Sequence, residues 1–278
     1  MTHIIGGSGQ LGQAFGKLLP DAHIPELEEL DLALPDTVYP TLQRWAPDEI
    51  INCAAFTAVD AAEEQETAAH AVNGAAVGEM TRYAADHGIR FVTFSTDYVF
   101  AGNGTRPYLE SDPTDPINAY GRTKRAGEVL ALGYTGSLVI RTSWLVSATA
   151  PNFVATMIRL ARDRELRVVD DQVGCPTIAA DLAAGTLRAM QAGATGLLHL
   201  ANQGVTSWYH LARRAIELAG IEPARITPCT TEEYPTPALR PAYSVLGSER
   251  LEPLGIEPLP PWEESLPATV AALVASEG

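Results

Sequence analysis

The chain has 278 residues, 46% of them hydrophobic and 19% charged, which is ordinary for a globular protein that buries one main core and carries a smaller companion lobe. Its net charge of -15 excludes nucleic acid and anionic membrane as general partners, so an anionic substrate has to meet a local cluster of arginines. Cys53, Cys175 and Cys229 lack CxxC spacing, no apolar run approaches about 18 residues, and no basic-then-apolar leader opens the chain; the expectation is a cytoplasmic protein with reduced thiols, no membrane span and no metal framework.

His3-Ile4-Ile5 reads as a short strand that turns at once into Gly6-Gly7-Ser8-Gly9-Gln10-Leu11-Gly12 and a helix-like run to Leu19. Glycines at 6, 9 and 12 suit a phosphate-binding turn: a sharp reversal, close approach of a pyrophosphate to the backbone, and close helix packing. An ordinary glycine-rich turn is the plainer alternative. A second strand is expected to end near Ile24-Pro25-Glu26, where Glu26 is placed to accept hydrogen bonds from the ribose hydroxyls of an adenosine and to repel a 2′-phosphate. The run PELEELD reads equally well as a solvated acidic stretch, and the sequence leaves both readings open. Asp36 to Trp45 is predicted helical but broken at Pro40. Glu49 to Ala55 is a third strand, with Ala54 and Ala55 small enough for cofactor approach or for plain close packing, and Glu63 to His87 reads as one long helix stopped by Gly88.

The stretch from Phe91 to Lys124 carries the chemistry. FVTFST is a buried parallel strand that delivers Ser95 and Thr96 at its carboxyl end, where open α/β sheets bind ligands. After a Gly/Pro-rich loop, Tyr120 and Lys124 stand four apart on a helix-compatible run and share a face. A phenol titrates near ~10, and a neighbouring ammonium favours its ionised form. Such spacing also arises by accident, but the chain's 19 basic residues include only two lysines, Lys17 and Lys124, in a protein that otherwise uses arginine. Thr96, Tyr120 and Lys124 are therefore the candidate catalytic group.

Ser137 to Trp144 is a further strand ending in an indole that either walls a sugar or nicotinamide pocket or anchors the core. Helices are expected at Asn152 to Arg162, Asp181 to Gln191 and Ser207 to Ala219, strands at Leu166 to Gln172 and Gly196 to Ala201, and helical runs from Ser248 and Trp262. His199 inside its apolar strand reads as a hydrogen-bonded core histidine. In the proline-rich segment TEEYPTPALRPAYSVL, Arg240 between Pro237 and Pro241 is the candidate for gripping a substrate phosphate. Strand alternates with helix throughout, the pattern of an α/β protein with a Rossmann-type doubly wound parallel sheet.

GGSGQLG, NCAAFTAVDAAE, FSTDYVFAGNG, DPINAYGRTKRAGE, LVIRTSW, NFVATMIRLARDRELRVVDDQVGCPT, TSWYHLARRAIELAG and EYPTPALRPAYSVL resemble, in order and spacing, the dTDP-4-dehydrorhamnose reductase family of the extended short-chain dehydrogenase/reductase superfamily. The resemblance covers nearly the whole chain. It implies a dinucleotide-binding domain of residues 1–147 plus about 177–201, and a smaller, largely C-terminal nucleotide-sugar domain of about 148–176 plus 202–278. The implied reaction is NADH- or NADPH-dependent reduction of the 4-keto group of a dTDP-4-keto-6-deoxy-L-hexose, with dTDP-4-dehydro-L-rhamnose to dTDP-L-rhamnose leading. A reductase for a related dTDP-deoxysugar and a non-catalytic regulatory subunit of the same fold are the alternatives.

Carried over by position, the resemblance makes Tyr120 the proton donor, Lys124 its helper and a ribose contact, and Thr96 a hydrogen-bond partner of the keto oxygen. The cofactor would meet Gly6, Gly9, Gln10, Leu11 and Gly12 at its pyrophosphate, Glu26, Asp31 and Leu32 at its adenosine, and Ala54, Ala55, Phe56 and Thr57 at its middle. Thr57, Val59, Thr96, Asp97, Trp144 and Arg240 would line the substrate site. The chain departs from the family at Leu239, Tyr243 and Val146, all on the substrate side. Ala14 and Ala180 stand where some members carry magnesium-binding glutamates at a dimer interface, so no metal is expected, and the assembly expected is a monomer or weak homodimer.

Overall fold

The computed structural model describes residues 1–222 and 225–276, so residues 223–224 and 277–278 of the expected sugar domain lie outside the described residues. In chain order its elements begin with β1 (Thr2–Ile5), α1 (Gln10–Leu18), α2 (Val38–Trp45), β2 (Glu49–Asn52), α3 (Val59–Glu64), α4 (Glu66–His70), α5 (Ala76–His87), β3 (Arg90–Thr96) and α6 (Ala119–Leu132). They continue with β4 (Ser137–Thr142), β5 (Leu145–Val146), α7 (Phe153–Ala161), β6 (Leu166–Val169), β7 (Val173–Gly174), β8 (Thr177–Ile178) and α8 (Ala179–Gln191). The chain closes with β9 (Gly196–His199), β10 (Thr206–Ser207), α9 (Trp208–Leu218), β11 (Ile226–Cys229) and α10 (Trp262–Ser276).

Five strands form the central parallel sheet in the order β1-β2-β3-β4-β9, with Ile4, Ile51, Val92 and Leu138 in one row. Alternate residues of each strand point to opposite faces, and both faces are apolar. Ile4, Ile51, Val92 and Ile140 pack against Leu11 and Phe15 of α1 and Leu182 of α8, whereas Ile5, Ile50, Phe91 and Val139 meet Leu42 of α2 and Met80 and Tyr83 of α5. Helices thus cover the sheet on both sides, as the alternation of elements predicts.

The second strand shrinks to a single parallel bridge between His3 and His23 on the outer side of β1. His23 donates to Thr2 O and accepts from Ile4 N, both at 2.9 Å. The next donor in that ladder falls on residue 25, and Pro25 has no N–H to give. The chain has nonetheless stepped to one side of β1 before returning on the other side as β2, so the sheet reverses direction at β1. That reversal opens a crevice above the carboxyl ends of β1 and β2.

Three helical expectations also shift. Pro40 does not break its helix, because it sits in the first turn of α2, where backbone N–H groups lack helical partners anyway. The long helix expected from Glu63 starts earlier and divides into α3, α4, a π turn at Ala71–Ala75 and α5, with Gly88 ending the last as expected. The run from Ser248 contracts to one 3-10 turn at Glu252–Leu254, which contains Pro253 and ends at Gly255.

Beyond β4 the chain builds a second cluster of helices and short strand pairs, β5 with β8, β6 with β11 and β7 with β10. Its core joins Val154 and Ile158 of α7, Leu211 and Ala215 of α9, and Leu266 and Val270 of α10. His199 at the end of β9 is buried and fully engaged. Arg141 donates to its Nε2 at 3.2 Å, and its Nδ1 donates to Gly247 O at 2.8 Å.

Candidate active site

Two parts of the site share the carboxyl edge of the sheet. The first is a cavity of about 420 Å³ lined by Gly6, Glu26, Asp31, Leu32, Ala54 and Ala55 among others. Gly6 has φ +80°, and a Cβ there would lie 2.6 Å from the backbone N of Ala54; a Cβ on Gly12 would fall 2.2 Å from Gly6 O. Both positions therefore demand glycine, and together they fold the turn tightly over the start of α1. Gly9 is the N-cap of that helix and Gln10 its first residue, and no side chain caps it, which leaves the terminal N–H groups for an anion. The buried Oε1 of Gln10 has no partner. The side chain of Leu11, by contrast, belongs to the core, so only its backbone faces the turn. A nicotinamide dinucleotide fits this cradle in shape and in donor chemistry.

The second part is the catalytic group. Thr96 closes β3, and its Oγ1 donates to Asp97 Oδ1 at 2.9 Å and accepts from Tyr98 N at 3.2 Å. Asn118 begins α6 with a side-chain cap to Gly121 N at 2.8 Å, which fixes the turn that carries Tyr120. One turn on, Lys124 Nζ is buried and donates to Phe94 O at 2.6 Å. The structure thus puts the Tyr120 phenol in hydrogen-bond contact with Thr96, and Lys124 one turn along the same helix.

The electrostatics differ from the sequence expectation. Burial pushes the Tyr120 phenol up to about 12, with the hydrogen bond to Thr96 pulling the other way, so it is raised rather than lowered. The Asp97 carboxylate adds to the effect of burial, while the Lys124 ammonium donates to Phe94 O and is itself brought down to about 8 by desolvation, against support from Glu128. Asp97 is raised to about 6 by burial, opposed by hydrogen bonds, and its Oδ2 has no partner. A protonated phenol at neutral pH is the state a proton donor requires.

Other expected residues fall in varied places. Phe56 is clasped by Asn73, which donates to its carbonyl at 3.0 Å and accepts from its N–H at 2.9 Å, and it packs with Tyr120 against Ala62 and Ala119. Thr57 is exposed, and Val59 opens α3. The Trp144 indole just past the end of β4 is 9% exposed and stacks on Trp208 with centroids 3.7 Å apart, so packing claims most of it. Arg240 does not present a free guanidinium but pairs with Asp60 at 2.9 Å. Sequence reasoning missed Asn73, buried in the π turn with no motif to mark it, and Asn118, which an Asn just before a helical run does signal.

The family model described as RmlD substrate binding domain matches residues 1–275. A curated relative from Burkholderia thailandensis, a dTDP-4-dehydrorhamnose reductase, is 41% identical over 98% of each chain. This chain belongs to the dTDP-4-dehydrorhamnose reductase family. Another relative, the dTDP-4-keto-6-deoxy-D-glucose reductase of Streptomyces niveus, is 39% identical over 99% of this chain and 98% of its own. Among solved structures, the Bacillus anthracis dTDP-4-dehydrorhamnose reductase in complex with NADP superimposes with a TM-score of 0.93 at 34% identity, covering 97% of this chain and 98% of that one. Family membership agrees with the α/β fold and its central parallel sheet.

Proposed function

We propose that this protein reduces the 4-keto group of a dTDP-4-keto-6-deoxy-L-hexose, with dTDP-4-dehydro-L-rhamnose the leading substrate and dTDP-L-rhamnose its product, in the cytoplasm. The observation that carries the reading is the hydrogen bond between Tyr120 and Thr96, with Lys124 one turn along the same helix, beside a glycine-walled cavity at one edge of the sheet. The reduced nicotinamide supplies a hydride to the keto carbon. Tyr120 gives its phenolic proton to the oxygen, the Thr96 hydroxyl turns from Asp97 to hold that oxygen by a hydrogen bond, and Lys124 balances the phenolate left behind. Residues 148–176 and 202–278 would form the sugar-binding side, with Thr57, Val59, Asp97 and Arg240 facing it from both parts of the chain.

The name of the Streptomyces niveus relative supports one alternative, a different dTDP-keto sugar, because Leu239, Tyr243 and Val146 depart from the family on the substrate side. The deciding assay offers a panel of dTDP-4-keto sugars with reduced cofactor and identifies products by NMR. Oxidation of cofactor with the rhamnose precursor is expected; no oxidation across the panel would move the reading to a non-catalytic subunit. Because the side chains of Ala14 and Ala180 offer no oxygen, activity should be the same with EDTA present. Loss on chelation, restored by magnesium, would contradict this.

Cofactor preference follows from the cavity wall. Glu26 is exposed on it, Asp31 lines it too, and its lining residues include no lysine, arginine or histidine. A 2′-phosphate there meets like charge without a counter-ion. NADH is expected to give a kcat/KM at least equal to that of NADPH, and parallel steady-state measurements check it. A strong NADPH preference would mean that a basic group from outside the cavity reaches the phosphate.

A further inference from the structure

The proline-rich segment lies against the catalytic helix through a short set of bonds. Asp60, in the first turn of α3, accepts from Ala238 N with Oδ1 at 3.1 Å and from Arg240 Nη2 with Oδ2 at 2.9 Å. Asn118, the cap of α6, donates to Leu239 O at 2.8 Å. On the same α3 helix, Glu63 Oε1 accepts from Ala119 N at 2.8 Å. One short helix therefore grips both the segment bearing Arg240 and the helix start bearing Tyr120.

The arginine is held in a defined orientation. Its Nη1 donates back to Ala238 O at 3.1 Å while Nη2 meets Asp60, so two of the five guanidinium N–H donors set its plane and the rest are left for a ligand. The Arg240 side chain is 16% exposed and that of Asp60 is 42% exposed. An exposed ion pair by itself contributes little, but here the same carboxylate also fixes a backbone N–H, so losing it releases both the side chain and its loop.

We propose that Asp60 is a positioning residue that acts through Arg240: it presents the guanidinium to the diphosphate of the nucleotide sugar, from the same short helix whose Glu63 holds Ala119 beside Tyr120. This rests on the nucleotide-sugar reading above. Asp60 itself touches no reacting atom.

Three variants test it: Asp60→Asn, which keeps an acceptor for Ala238 N while removing the charge, Arg240→Gln, and the two combined. With the keto sugar, each single change should raise KM by about tenfold and leave kcat within about threefold, as loss of uniform binding does. The double variant should be no worse than Arg240→Gln alone, since both changes remove one interaction. Asp60→Glu should recover part of the loss. Calorimetry with dTDP alone as the probe should show the same pattern, and the affinity for reduced cofactor should not move. Additive losses, an unchanged KM in Asp60→Asn, or wild-type protein that fails to bind dTDP would overturn the inference. If wild type oxidises no cofactor on any keto sugar but dTDP binding still weakens in Asp60→Asn, the reductase reading falls and this one stands.

Discussion

Replacing Tyr120 by Phe should lower kcat by about two orders of magnitude or more while cofactor binding stays near normal, the range expected when a general acid is removed. The ring itself is retained, so its packing with Phe56 against Ala62 and Ala119 and its edge-on contact with Tyr98 at 5.7 Å persist. Only the proton is lost. Thr96 cannot replace it, because an aliphatic hydroxyl is intrinsically a far weaker acid than a phenol. Tyr98 is a second phenol nearby, but burial raises it, with the Asp97 carboxylate adding to the effect, and it has no lysine one turn along its own segment. Steady-state rates and a cofactor-binding titration separate the two effects. Turnover near that of wild type would remove Tyr120 from the mechanism.

The parts of this site that were legible in the sequence are those governed by local rules. The glycine turn was readable because Gly12 answers to the backbone of Gly6 and Gly7 a few residues away and Gly6 takes a positive φ, although the Ala54 backbone that also crowds Gly6 is distant in sequence. The Tyr120–Lys124 face was readable because helix periodicity alone sets it. Long-range contacts were not. Arg240 looked like a free phosphate anchor until folding brought Asp60, 178 positions from Ala238, against the same loop. Trp144 could be read as pocket wall or core anchor, and its packing depends on Trp208 from a helix that follows much later. The missing second strand turned on one absent donor at Pro25, and the split of the helix after Val59 turned on Asn73, whose amide holds Phe56 and donates to Thr123 Oγ1 at 3.1 Å. The pKa of Tyr120 was unreadable for a similar reason: spacing gives the lysine's neighbourhood, but not how deeply each group is buried or which acceptor takes the ammonium.

That burial makes Lys124 the second residue whose loss should be severe. Lys124→Ala is expected to lower kcat/KM by about two orders of magnitude, weakening cofactor binding as well as turnover, because a positive charge next to the developing phenolate disappears. The ammonium is available only while it is protonated. Desolvation has brought it down to about 8, with Glu128 four residues along favouring the charged form. Glu128 does not stand ready to give more, since Arg141 Nε at 2.9 Å, Arg125 Nη1 at 2.7 Å and Ser95 Oγ at 2.8 Å already surround it. As pH rises through about 8 the charge on Lys124 is lost, so wild-type kcat/KM should fall on the basic side with an inflection near that value. Lys124→Arg should not restore activity despite keeping a charge: the void beside Lys124, Ser95 and Glu128 is about 10 Å³, too small for the larger guanidinium. Rate profiles from about pH 6 to 10 for wild type, Lys124→Ala and Lys124→Arg measure all of this. If Lys124→Ala keeps the same basic limb as wild type, the titrating group is another residue and the ammonium has no part in setting the rate.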